Sequence, residues 1–159
     1  TFAAVDPLST SGWIIPSVTL KAAGVDPNKD IKVVFAGSHD NVAAAVYKGD
    51  AAGGACYVDA RTRIQKDYPD VMEKVVVLEV SPNIPNDGVQ FHPSVSKELR
   101  DKVVAALMDI IKTEDGKKAI NTAYQWTALE AHDDGFYDPF RQVLQAAGIN
   151  AIDLLPPKK

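Results

Sequence analysis

The run Asp6-Pro7-Leu8-Ser9-Thr10-Ser11-Gly12 places three consecutive hydroxyls at the expected start of a helix, directly after the apolar residues 2–5. That layout suits an anion. The first N–H groups of a helix have no intrahelical partner, and the macrodipole puts partial positive charge at that end, so an oxyanion fits there without a lysine. Serine and threonine hydroxyls add rotatable donors, Gly12 removes a side chain that would block the backbone, and Trp13 can wall off solvent. The same residue types are also the ordinary N-caps, and in most proteins such a cluster only caps a helix. Pro16 adds a complication. If the helix begins near Gly12, the proline falls at the end of its first turn and removes one backbone bond.

A second polar mouth follows at Gly37-Ser38-His39-Asp40. Serine, histidine and aspartate together suggest a hydrolase triad, but sequence neighbours rarely have triad geometry and there is no Gly-x-Ser-x-Gly elbow. Cys56 lies in an apolar stretch, where a buried inert thiol is the common outcome. A metal site would require His39, His92 and His132 to converge with carboxylates, and no paired-ligand spacing supports it. Neither a metal nor a cofactor is expected. His132-Asp133-Asp134 reads as a solvated loop. Trp126 and the tyrosines read as core or interface groups, and Trp13 as an aromatic near a cleft.

These groups must be positioned by a chain of 159 residues, 46% hydrophobic, with a net charge of −4. Such a chain can bury a sizeable core, and its length is that of about one domain. The negative balance and scattered lysines argue against nucleic acid as a partner. No apolar run approaches the ~20 residues that span a bilayer, and the first residues lack the pattern of a signal peptide, which removal of a signal would also explain. A single cysteine excludes an internal disulfide and does not choose a compartment.

The first half alternates strand-like and helix-like segments, the arrangement of a mainly parallel sheet covered by helices. Strands are expected at 2–5, 31–36, 54–58 and 75–80, the last buried on both faces. Helices are expected at about 11–23, ending at Gly24, at 41–48, ending at Gly49, and at 61–68. From Ser81 the texture changes, with Pro82, Asn83, Pro85, Asn86, Asp87 and Gly88 crowded together as a linker or hinge. Residues 89–91 suit one more strand, and the chain after Pro93 reads as helical. A helix at about 95–112 carries Val95, Leu99, Val103, Leu107 and Ile110 or Ile111 at helical spacing, a stripe that calls for a core to face. Thr113 caps a short helix, Asp138-Pro139 opens another that ends at Gly148, and residues 156–159 form a disordered tail.

Three separated motifs, Asp6 to Trp13 with Pro16, Phe35-Ala36-Gly37-Ser38-His39-Asp40 and Ile84-Pro85-Asn86-Asp87-Gly88, agree in order and spacing with a known family. In them the chain resembles the phosphate, phosphite and phosphonate-binding proteins of ABC importers, which are two-lobed type II periplasmic binding proteins. The resemblance continues through 95–113 and Phe136-Tyr137-Asp138-Pro139-Phe140. It implies an α/β fold with a three-layer α/β/α ligand-binding lobe at 1–80, a hinge at 81–92, and helices at 93–159 that complete a first lobe. It also implies that Ser9, Thr10 and Ser11 hold the oxygens of a phosphonate, phosphite or phosphate. His39 would donate a further hydrogen bond, and Asp87 would accept from a protonated oxygen or from the amino group of an aminoalkylphosphonate.

The implied role is a solute-binding component, not an enzyme, located in the periplasm or lipid-anchored outside the membrane and docking on an ABC permease. Two alternatives are a serine hydrolase acting on small phosphate or acyl esters, and a non-transport sensor or interaction module with the same fold. Family members are roughly twice this length. The missing lobe is therefore expected from a longer chain, from another chain, or from a homodimer formed through the exposed helices.

Overall fold

The computed structural model describes residues 1–146 and 148. Three short parallel strands, β1 (Phe2–Ala4), β2 (Val33–Phe35) and β3 (Gly53–Gly54), form one sheet in the order β2-β1-β3. A five-residue π-helical turn, Thr10–Ile14, runs into α1 (Ile15–Ala22) between β1 and β2, and α2 (His39–Lys48) connects β2 to β3. This is an α/β arrangement, as the alternation in the sequence implies. β1 is central, with the small residues Ala3 and Ala4 buried, so α2 packs Val42 closely onto the sheet, while Ala43 turns toward Ile64 and Val71. Ala3, Val5, Val42 and Ala51 form one core cluster. Ala43, Ile64 and Val71 form a second, which extends the core under α3 (Arg61–Ile64) and α4 (Val71–Lys74).

The start of α1 is shaped by Pro16. An α-helical ladder would direct the carbonyl of Gly12 to the N–H of residue 16, and proline has none. The chain widens instead into the π-helical turn, in which Ile14 donates to the Ser9 carbonyl at 3.0 Å and Ile15 to that of Thr10. A local π-turn is a known way for a helix to absorb such a break. The released Gly12 carbonyl accepts the N–H of Val5 at 3.2 Å, which ties the helix start back onto the end of β1. Gly12 must be glycine for this approach, because a Cβ there would lie 2.3 Å from Val5 Cγ2 and 2.6 Å from Val5 Cβ.

Beyond α4 the chain departs from the expected pattern. Residues 75–80 form no strand and are not buried on both faces; Val76 is 68% exposed and Leu78 93%. A strand requires a ladder partner, and this segment pairs with neither β2 nor β3. The Val75 carbonyl is instead bound by the Arg61 guanidinium at 2.6 Å. The strand expected at 54–58 shrinks to Gly53–Gly54, and the helix expected at 61–68 to Arg61–Ile64. Residues 89–91 are not a strand.

Two compact units emerge. One comprises Thr1–Ile84 together with the chain from Pro139, and the other Pro85–Asp138. The first includes α7 (Asp138–Ala146) from its second residue onward, with Leu144 buried. The second contains α5 (Lys97–Ile110), α6 (Glu114–Tyr124) and the 3-10 turn Asp134–Tyr137. Ser96 caps α5 and Thr113 caps α6, each hydroxyl accepting a backbone N–H. The apolar stripe on α5 does not meet a core: none of its residues is buried, and Leu99, Val104 and Ile110 are exposed. The unit has too few apolar layers to cover that face. α7 follows Tyr137 as expected, and Gly148 lies beyond its end with φ 66°. The tail at 156–159 lies outside the described residues.

The Gly12 contact yields a stability test. Replacing Gly12 by Ala forces Val5 and the π-helical turn apart, an overpacking cost of about 1–3 kcal/mol. Urea unfolding of the two proteins should show that loss as a lower midpoint with an unchanged slope; equal midpoints would mean that the contact is slack.

Candidate functional site

Parallel strands deliver their following loops to one edge of the sheet. β1 and β2 pair in register, Ala4 opposite Phe35, and the ladder continues through Ala36 N–H to the Ala4 carbonyl and Gly37 N–H to the Val5 carbonyl. The loop of Ser9, Thr10 and Ser11 and the mouth of α2 at His39 therefore emerge side by side at the carboxyl ends of adjacent strands. In open α/β sheets this edge is where ligands bind, at the point where the strand order reverses. With the order β2-β1-β3, that point lies between β1 and β3.

Each hydroxyl has a distinct situation. Ser9 is the N-cap, its Oγ accepting the Gly12 N–H at 3.1 Å, so the capping role weighed from sequence is real for this residue. Its own hydroxyl proton remains a donor. Thr10 and Ser11 are half-buried, and among the described residues their hydroxyls make no hydrogen bond within the protein. Their N–H groups also precede the first helical bonds, which run from Trp13 and Ile14 to the Ser9 carbonyl. Asp6 is turned to its own backbone, accepting the Leu8 N–H at 2.8 Å. Trp13 stands edge-on to Phe35 with ring centroids 5.3 Å apart, which joins the two loops by an aromatic contact.

His39 opens α2. Ser38 caps the helix by accepting the Asn41 N–H at 3.1 Å, and the Asn41 amide donates to the Ala36 carbonyl at 2.8 Å, so the turn is fixed on both sides. The Nδ1 of His39 accepts the backbone N–H of Tyr57 at 3.2 Å, and the two rings meet edge to face at 4.7 Å. An accepting Nδ1 assigns the ring proton of the neutral imidazole to Nε2. Burial lowers the pKa of His39, opposed by the carboxylates of Asp40 and Asp6. The same hydrogen bond explains the short β3: Tyr57 gives its N–H to a side chain and not to a strand. Sequence reasoning missed Tyr57 as a partner of His39, since 18 residues separate them and no local signal links them.

The nearby cations are already committed. Arg63 pairs with Asp40 at 3.0 Å, and Arg61 with Asp59 through both its Nε and a terminal nitrogen. A ligand at this edge would meet neutral donors. The triad reading loses its geometry: Ser38 is a cap, His39 Nδ1 faces an amide and not a carboxylate, and Asp40 is held by arginine. Cys56 is half-buried, and burial pushes its thiol pKa up, away from nucleophilic use.

Asp87 belongs to the second unit and is exposed there. His92 and His132 are in that unit as well, His92 Nδ1 lying 2.7 Å from the Ser94 hydroxyl and His132 stacked on Phe136 at 4.1 Å. Asp133 caps the 3-10 turn by accepting the Gly135 N–H. Trp126 stacks on Tyr124 at 4.8 Å.

Comparison with known proteins adds two findings. The family described as ABC transporter, phosphonate, periplasmic substrate-binding protein matches residues 1–137. The chain is also 26% identical over 143 residues to the phosphonates-binding periplasmic protein of Escherichia coli (strain K12), an alignment covering 90% of this chain and 42% of that protein. The chain thus spans less than half the length of this curated relative.

The environment of His39 sets a pH dependence. Its folded pKa lies below the unfolded value, so the unfolded chain binds the proton first as the solution is acidified. The stability that His39 contributes is complete above the ordinary imidazole range near 6.5 and is lost as the pH falls through that range to the lowered folded value. Thermal melts between pH 8 and pH 5 should show a smaller acid-side loss in His39→Gln than in the parent protein. Parallel curves would mean that the imidazole titrates as if exposed.

Proposed function

The chain belongs to the family of periplasmic substrate-binding proteins of phosphonate ABC transporters, and we propose on that premise that it binds a phosphorus oxyanion at the carboxyl edge of its sheet. The observation that carries the reading is the placement of the Ser9-Thr10-Ser11 loop and His39 on adjacent parallel strand ends. The anion is held by the hydroxyls of Ser9, Thr10 and Ser11, the N–H groups at the helix start, and the Nε2–H of His39. The ligand class is phosphonate, phosphite or phosphate, and Asp87 accepts from a protonated oxygen or an amino group. No step of this role is catalytic, in keeping with a family named for substrate binding.

Neutral donors suit the task. A tetrahedral oxyanion that leaves water needs its oxygens satisfied, and each hydrogen bond to a charged acceptor is worth roughly 1.5–3 kcal/mol in a desolvated site. Donors that are not themselves charged hold the anion without forming a fixed ion pair. Release then depends on the opening of a hinge and not on breaking a salt bridge. In this reading residues 1–80 form one ligand-binding lobe of three-layer type II architecture, residues 81–92 the hinge, and residues 93–159 the segment that contributes to the other lobe. The rest of that lobe comes from a longer chain, from another polypeptide or from a second copy. The closed form docks on an ABC permease, from the periplasm or from a lipid anchor on the outer side of the membrane. Among the described residues no helix is long and apolar enough to cross a membrane.

The test is calorimetric titration with 2-aminoethylphosphonate, methylphosphonate, phosphite, phosphate and, as control, sulfate, repeated with the other lobe supplied as a second polypeptide. At least one phosphorus oxyanion should bind while sulfate is silent, and Ser11→Ala should weaken that binding by about 1–3 kcal/mol. Equal affinity for sulfate, or an unchanged affinity in Ser11→Ala, would place the site elsewhere.

A further inference from the structure

Beside the contact between His39 and Tyr57 stands a charged residue outside the loop that carries the hydroxyls. Tyr57 stands on the irregular segment after β3, its N–H on Nδ1 and its ring in an edge-to-face contact with the imidazole. Arg63, on α3, reaches back across this segment. Its Nε lies 3.0 Å from one Asp40 oxygen and 3.2 Å from the other, and the turn that leads from Tyr57 into α3 is closed by the Ala60 N–H donating to the Tyr57 carbonyl at 3.0 Å and the Arg63 N–H to the Ala60 carbonyl at 3.2 Å. Asp40 follows His39 in the first turn of α2. One ion pair therefore ties the helix that carries the imidazole to the turn that carries its hydrogen-bond donor.

We propose that Arg63 is a positioning residue of the oxyanion site: by pairing with Asp40 it ties the turn after Tyr57 to the start of α2 and so holds the Tyr57 N–H on His39 Nδ1, which keeps the ring proton on Nε2 as a donor.

The physical basis is the two-sidedness of imidazole. A neutral ring has one donor and one acceptor nitrogen, and the hydrogen bond made by one decides the role of the other. If the Tyr57 amide drifts away, Nδ1 is free to carry the proton, and an Nε2 lone pair then confronts any anion that approaches it. The brace also affects the charge state. The groups that face His39 are the Asp40 and Asp6 carboxylates and the Tyr57 ring, and both carboxylates favour the imidazolium. Arg63 neutralises Asp40, so the ring stays a neutral donor under the same conditions in which burial already disfavours its charge. Half of the Arg63 side chain remains open to solvent, and its replacement removes no buried core.

The proposal rests on the reading that His39 donates to the ligand, and the experiment separates the two. In the 15N-labelled chain, NMR detects the scalar coupling between the Tyr57 amide nitrogen and His39 Nδ1 and the shifts of both ring nitrogens, with His39→Gln assigning the signals. The parent protein should show the coupling with the proton on Nε2. Arg63→Met should lose the coupling, raise Tyr57 amide exchange roughly tenfold, and raise the His39 pKa. Asp40→Asn, which breaks the brace from the other side, should also lose the coupling, and Arg63→Lys should restore part of it. Titration with methylphosphonate should show Arg63→Met binding about 2- to 10-fold more weakly. A parent ring protonated on Nδ1, or a coupling that survives in both Arg63→Met and Asp40→Asn, would overturn the proposal. If the coupling behaves as expected while no phosphorus oxyanion binds, the brace stands and the ligand reading falls.

Discussion

The carbonyl of Gly12 has no N–H to receive it from Pro16, and it takes the N–H of Val5 instead. This bond closes the loop of residues 6–11 onto the strand that precedes it, and a glycine at 12 lets the two backbones meet. The hydroxyl run is therefore anchored at both ends: by β1 on one side, and by the π-helical turn, whose bonds start at the Ser9 carbonyl, on the other. An ordinary α-helical start would draw the Gly12 carbonyl into the helix and leave the loop hanging from β1 alone. The proline that looks like a flaw in the helix is what frees the tether.

The second constraint is the parallel sheet. Its central strand carries Ala3 and Ala4, small enough for Val42 to pack closely against it, and its two neighbours run in the same direction. Parallel pairing sends the chain ends of β1, β2 and β3 to one edge, so groups separated by dozens of residues share a neighbourhood. His39 receives its Tyr57 hydrogen bond there, and Trp13 meets Phe35. The arginines nearby are spent on Asp40 and Asp59, which leaves an edge rich in uncharged donors on a chain of net charge −4. Anion binding by hydroxyl and amide groups is compatible with that charge because the contacts are short-ranged and directional, whereas the overall field is screened within a Debye length.

Much of this was legible before any coordinates. The hydroxyl run, the mouth at Gly37-Ser38-His39, the α/β alternation and the helix stops at Gly24 and Gly49 all depend on near neighbours in the chain, and each is observed. The errors share one cause. Residues 75–80 and 89–91 have strand-like composition, yet neither finds a ladder partner, whereas the α5 stripe stands uncovered as the missing lobe implied. Composition states what a segment prefers to bury, and it does not state what is there to cover it. The shortening of β3 has the opposite origin: a good strand sequence lost its ladder to a side chain, His39, that competed for the Tyr57 N–H.

The amino-acid sequence by itself determined the local chemistry: which residues carry hydroxyls at a helix start, where proline and glycine break the backbone, and that strands alternate with helices. These follow from covalent geometry and hydrogen-bond capacity, which act over a few residues. Only the tertiary structure decided that Pro16 releases a carbonyl to Val5, that the Tyr57 N–H meets His39 Nδ1, and that Arg63 of α3 pairs with Asp40 of α2. Those depend on contacts across the sheet edge, where chain separation carries no information and the order of the strands determines which groups meet.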